Sequence, residues 1–175
     1  MAEEPPPIAQ IPVDLFVSRK RSGLTRGALT FRDSSDNVVF SVADRPSSKL
    51  LLDRTGLPLV SIARNPNGVW SGSRENGGEA KDLIFTAEKR LHRPRSRKEV
   101  DVVFVGGCEF QIRGSPFQRS CTVYQGDSVV AQTSLLYKLG KVLVGRRRFR
   151  LTIFPGFVDH TLVVALVLVF FGGRI

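Results

Sequence analysis

Two groups of basic residues hold the clearest capacity for chemistry in this chain. Lys89, Arg90, Arg93, Arg95, Arg97 and Lys98 put six cations into ten residues, with His92 among them. Lys138, Lys141, Arg146, Arg147, Arg148 and Arg150 form a second group. Guanidinium and ammonium groups at this density hold phosphate and carboxylate oxygens; they do not transform them. Each basic residue near an anionic membrane surface contributes about 1 kcal/mol. The whole chain agrees in sign, with a net charge of +10 and an isoelectric point near 10.4. That excess favours phospholipid headgroups, phosphoinositides or nucleic acid, and does not choose among them. Each group also has a plainer reading. Pro94 makes the first a strand-to-strand loop, solvated or serving as a nuclear-localisation segment. The second is equally the exposed face of an alternating strand.

Catalysis finds less support. Asp159 and His160 are adjacent acid and base, yet no GxSxG, HExxH or comparable spacing supplies a nucleophile or metal partner. Asp159 fits better as a helix N-cap, with His160 packing in the first turn. Cys108 and Cys121 are too few for a disulfide framework and read as small buried hydrophobes. Two Cys and two His this scattered match no zinc spacing, so neither metal nor cofactor is expected.

The elements that must position these residues are short strands. Residues 14–20 form a first strand. Segments 28–31 and 38–42 flank Asp33-Ser34-Ser35-Asp36-Asn37, and 49–52 and 57–62 flank Asp53-Arg54-Thr55-Gly56. Segments 121–124 and 129–132 flank Gln125-Gly126-Asp127-Ser128. Strand, polar turn and strand, repeated at a spacing of about 8–12 residues, indicate an all-β sandwich or barrel. Residues 83–91 and 100–105 are strands on either side of the first basic group, and 109–112 is another. Residues 65–81 hold four Gly and a Pro and read as a loop with one short strand near Trp70. Trp70 and Phe85 read as core or loop anchors. Residues 148–154 alternate, with Phe149, Leu151 and Ile153 against Arg148, Arg150 and Thr152, as a half-buried strand does.

The C-terminal run TLVVALVLVFF, residues 161–171, differs in kind. It has no charge, Gly or Pro. The uncharged stretch 161–173 spans roughly 20 Å as a helix, whereas a bilayer core is about 30 Å thick. A helix at about 159–171 that is apolar on every face needs a protein container on every face. β-Hairpins ending in such a helix imply a closed barrel wrapped around its own C-terminus. A charge at Val164 or Leu166 should then abolish folding.

Residues 1–12, with Pro5, Pro6, Pro7 and Pro12, are expected to form a disordered arm, followed by a single domain over 13–175. MAEEPPP is not a secretory signal. Ala2 in place of Gly, and an FGGRI terminus without Cys, give no lipidation motif. An intracellular location is expected, in the cytoplasm, at the plasma-membrane periphery or in the nucleus.

Hairpins with Asp-x-x-Gly-type turns, then FQIRGSPFQRSCTVY (110–124), then a strand leading into FVDHTLVVALVLVF (157–170), resemble the plant LURP-one-related family. This family lies within the tubby-like superfamily that also contains the phospholipid scramblases. The resemblance covers about residues 12–172. It implies a mainly β fold: a closed, antiparallel, twelve-stranded tubby-like β-barrel enclosing a C-terminal hydrophobic α-helix. It also implies a membrane-tethered or defence-related factor, akin to tubby-like membrane-tethered transcription factors, with no enzymatic reaction. None of the basic positions through which tubby proteins bind phosphoinositides is carried over. The Cys-rich palmitoylated stretch and acidic calcium-binding segment of scramblases have no counterpart here, which argues against scramblase activity.

The expectation is therefore a non-enzymatic, monomeric module. It binds anionic phospholipid or phosphoinositide headgroups through Lys89, Arg90, Arg93, Arg95, Arg97, Lys98, Arg146, Arg147 and Arg148, peripherally and without spanning the membrane. The alternative is a nucleic-acid-binding or transcription-associated factor that uses the same surface, though the chain lacks the aromatic-basic interleaving of an RNA-recognition sheet.

Overall fold

The structure, a computed structural model, describes residues 11–22, 25–76, 80–90, 97–135, 148–156 and 159–172. Twelve strands run in chain order: β1 (Val13–Ser22), β2 (Thr25–Arg32), β3 (Val38–Asp44), β4 (Ser48–Asp53), β5 (Pro58–Arg64) and β6 (Trp70–Asn76), then β7 (Ala80–Arg90), β8 (Lys98–Phe104), β9 (Glu109–Ser115), β10 (Ser120–Gln125), β11 (Ser128–Leu135) and β12 (Arg148–Ile153). One helix, α1 (His160–Phe171), follows. Each strand pairs antiparallel with its neighbours in sequence, and β12 closes onto β1 through Val13↔Ile153 to Ser18↔Arg148. An all-antiparallel ring closes only with an even number of strands, and closure leaves no unpaired edge.

Local chemistry sets the hairpins. Asp53 Oδ1 accepts from the Thr55 and Leu57 N–H groups at 2.8 and 2.9 Å, and Gly56 adopts φ 87°. Asp33 Oδ1 accepts from the Ser35 and Asn37 N–H groups, both at 2.9 Å. The carboxylates replace water for turn donors that no strand can satisfy.

The inward set includes Leu15, Val17, Leu29, Phe31, Val42, Leu51, Ile62, Phe85, Val102, Ile112, Val123, Phe149 and Leu151, all buried. They surround α1, in which every residue from Val163 to Phe171 is buried. Nine consecutive buried residues cover more than two turns, so no helix face meets solvent. The barrel encloses the helix as the sequence demands. Asp159 Oδ1 accepts from the Leu162 N–H at 3.3 Å at the N-terminus. At the other end Gly172, at φ 59°, donates its N–H to the Leu168 and Val169 carbonyls. Among the described residues no helix is long and apolar enough to cross a membrane.

Two sequence expectations need correction. Residues 70–76 form a full strand, β6, and β7 begins at Ala80, so the Gly-rich stretch is mostly sheet. A Cβ at Gly72 would lie 2.2 Å from Cε1 of Phe85, its cross-strand partner. Glycine therefore sits in this strand to admit a buried ring, not to turn the chain. Cys108 is exposed, because it lies in the β8–β9 turn where its carbonyl accepts from the Phe104 N–H. Cys121 is buried as expected and is the second residue of β10, whereas Cys108 contacts Gln125 at the end of that strand. The two cysteines thus lie towards opposite ends of β10, and both are free. The expected arm at 1–12 falls mainly outside the described residues.

Candidate anionic-ligand surface

In a barrel whose strands simply alternate in direction, every odd-to-even connection leaves from one end and every even-to-odd connection from the other. Arg90 and Arg97, on either side of the β7–β8 connection, and Arg148, just after the β11–β12 connection, therefore lie at the same end. The segments joining odd to even strands contain nine Lys or Arg and no Asp or Glu. The segments joining even to odd strands, with the β12–α1 linker, contain five Asp or Glu and one basic residue, Arg54. In sequence, the two sets of connections thus differ in the sign of their charge. The helix C-terminus points to the basic end: Gly172 lies beside Trp70, which opens β6 there. The negative pole of the helix dipole lies at the end that holds Lys98 and Arg119.

The named cations occupy this end in different ways. Lys89 and Arg90 close β7 and are exposed, and Arg90 forms an ion pair with Asp101 across the β7–β8 ladder. Arg97, just ahead of β8, and Arg148, opening β12, are exposed. Lys98 is turned inward: its Nζ donates to the Phe170 carbonyl and lies 5.2 Å from the centre of that residue's ring. It closes the helix C-terminus more than it faces solvent. Arg93, Arg95, Arg146 and Arg147 lie outside the described residues, as do Lys138 and Lys141. Arg150 lies on the outer wall, with Nη1 3.8 Å from Asp14.

Three further arginines extend the surface. Arg119 stands 5.7 Å from the Phe171 ring at the barrel mouth. It is held there by an unusual backbone: its φ is 54°, and its carbonyl accepts from Thr133 Oγ1 at 3.1 Å, which in turn accepts from the Cys121 N–H at 2.8 Å. Arg113 lies 5.6 Å from the Tyr124 ring, and its Nε donates to Glu99 at 3.2 Å. Arg64 lies 5.9 Å from the Trp70 ring. Sequence reasoning missed these residues because each is a lone arginine, and a search for runs passes over them. Arg119 had a signal, its place within GSPFQRSC. That segment approaches its partner strand closely, since a Cβ at Gly114 would meet the Ser120 carbonyl oxygen at 2.1 Å.

Arg97 and Arg113 open onto a shallow polar cleft of about 610 Å³ that also takes in Ser115, Gln118, Ser120 and Tyr124. Two guanidinium groups with hydroxyls and an amide can hold an anion, whereas none of them is an activated nucleophile. Cys121 is a poor nucleophile as well, since burial pushes its thiol up to about 12. Among the described residues no three His, Cys, Asp or Glu side chains gather into a metal-holding group. Asp159 is engaged as the helix cap.

A closed meander of twelve strands around an apolar C-terminal helix is the architecture expected of the LURP-one-related proteins. The LURP-one-related family model matches residues 13–171, and the chain belongs to that family. It is 50% identical to Protein LURP-one-related 7 of Arabidopsis thaliana, over 97% of this chain and 94% of that protein. It is 29% identical to Protein LURP-one-related 15 of the same plant, over 95% of this chain and 82% of that one. An X-ray structure of an Arabidopsis thaliana protein superposes with a TM-score of 0.68 at 24% identity, covering 94% of this chain and 93% of that one, which shows a shared fold.

Proposed function

We propose that this protein is a non-enzymatic barrel module that docks peripherally on anionic phospholipid or phosphoinositide headgroups through the basic end of its barrel. The observation that carries the reading is the charge of the connections: the odd-to-even segments hold nine Lys or Arg and no Asp or Glu, and the opposite set is mainly acidic. A sphere with scattered charge would meet a membrane in any orientation. A barrel with one positive pole is steered and held by that pole. Arg97, Arg148 and Lys89 are the exposed described cations suited to the contact. The setting proposed with it is that of a tethered factor in plant stress or defence, a reading that the family resemblance supports.

Flotation of the purified protein with liposomes tests this. Neutral phosphatidylcholine vesicles are compared with vesicles carrying phosphatidylserine or a phosphoinositide, at low and physiological salt. The reading expects flotation with the anionic vesicles that persists at physiological salt. Absence of flotation, together with steeply salt-dependent binding to duplex DNA, would instead assign the same cations to nucleic acid.

A further inference from the structure

Phe117 lies in the β9–β10 turn and is 70% exposed. Single exposed apolar side chains are ordinary on protein surfaces. The place and the mounting of this one are not. The other large apolar residues exposed among those described are Ile11, Val13, Leu57, Leu83, Val103, Val105 and Val129. By strand direction all of these sit toward the acidic end of the barrel or on the wall near it. Phe117 alone among them belongs to the basic end.

Its turn is also built to hold it out. The Gln118 N–H donates to the Ser115 carbonyl at 3.1 Å and the Arg119 N–H to the Pro116 carbonyl at 3.3 Å. Pro116 fixes one torsion just before Phe117, and Arg119 just beyond takes the left-handed conformation. Thr133 then ties the Arg119 carbonyl to β11. Gln118 and Arg97 share the polar cleft beside it. A braced aromatic side chain among cations matches the two layers of a membrane surface. The ring suits the boundary between headgroups and acyl chains, and the cations suit the headgroup phosphates.

We propose that the barrel meets an anionic lipid surface end-on, helix C-terminus towards the membrane, and that Phe117 inserts among the lipids. This rests on the lipid-docking reading and adds an orientation and an anchor to it. Burial of a phenyl ring corresponds to about tenfold or more in affinity.

The test uses full-length protein carrying Cys108→Ser, so that Cys121, which is buried, is the only remaining native thiol. An environment-sensitive nitrobenzoxadiazole label is placed through Phe117→Cys or, as the comparison, through Val105→Cys at the other end. With phosphatidylcholine vesicles containing phosphatidylserine, the label at 117 should brighten and shift to the blue, and be quenched by lipid-borne quenchers, while the label at 105 should not change. In parallel, Phe117→Ala, a surface change that leaves the fold intact, should weaken flotation on those vesicles about tenfold. It should leave retention on heparin, which reads charge alone, as in the wild type. If the unlabelled protein floats but the 117 label stays unchanged and Phe117→Ala floats equally well, insertion is wrong and lipid docking stands. If the protein does not float at all, both readings fall.

Discussion

Lys98 donates its ammonium proton to the main-chain carbonyl of Phe170 and packs against the ring of the same residue. One cation of a run that looks uniformly solvated is therefore part of the barrel's interior. Strand alternation explains it: Val100 and Val102 face the core, and Lys98, two residues earlier, faces the same way at the mouth. There it meets a carbonyl that the helix leaves without an intrahelical partner, at the negative end of the helix dipole.

Replacing Lys98 with Met keeps the apolar stem and removes the donor. We expect a loss of about 1.5–3 kcal/mol in urea unfolding, the range for a hydrogen bond to a charged group. Lys98→Arg should recover part of it. A loss confined to vesicle binding, with stability unchanged, would show that the helix contact contributes nothing.

Gly72→Ala should destabilise by about 1–3 kcal/mol, because the added methyl overlaps the fully buried Phe85 ring. Phe85→Leu alone should also cost stability. The double mutant should be more stable than the sum of the two single effects predicts, since the smaller side chain vacates the space the methyl needs. A double-mutant cycle in urea measures the coupling, and strict additivity would contradict the packing argument.

Acid should weaken the hairpins. The hydrogen bond from Thr55, then that from the Leu57 N–H, holds the Asp53 carboxyl below its ordinary 3.8. The bond from the Asn37 N–H does the same for Asp33. At Asp44 partial burial pushes upward, and the hydrogen bond and charge of Lys49, aided by Arg19, more than reverse it. Each folded pKa lies below its unfolded value. The stability these groups supply is thus fully present above 3.8 and is lost as pH falls through the lowered values. Urea midpoints should be flat from neutral pH down to about 5 and then fall. Asp53→Asn should flatten that fall measurably, because its side-chain oxygen still accepts in the turn but no longer titrates.

The two thiols should separate kinetically. Cys108 is exposed and should react with a thiol reagent in the native protein. Cys121, with its thiol pushed up to about 12 by burial, should react only on unfolding. Two equally fast thiols in the folded state would show that β10 is not packed as described.

Much of the fold was legible because its strongest signal is a requirement. An eleven-residue run, apolar all round and too short for a bilayer, must be enclosed, and hairpin chemistry around it leaves a closed barrel as the container. Leu166→Asp should accordingly yield no folded protein, since an unpaired charge there costs several kcal/mol against a stability of about 5–15. β6 was less legible, because Ser71, Gly72 and Ser73 look like a loop until the Phe85 ring is seen to need the room. The shared end of Arg97 and Arg148 was not legible at all. It depends on the parity of the strands between them, β8 to β11, and one miscounted strand would move Arg148 to the opposite pole. Arg64, Arg113 and Arg119 were hidden for another reason: spatial neighbours on separate hairpins leave no run in the chain.

The most direct test of the account reverses charge at each pole in turn. Arg97→Glu with Arg148→Glu alters the basic end, and Arg54→Glu alters the other, all at exposed positions. Flotation with phosphatidylserine vesicles at physiological salt is then measured. We expect the first pair to lose flotation while Arg54→Glu floats nearly as the wild type does. Equal loss from both poles, or none from the first, would contradict a membrane contact made by one end of the barrel.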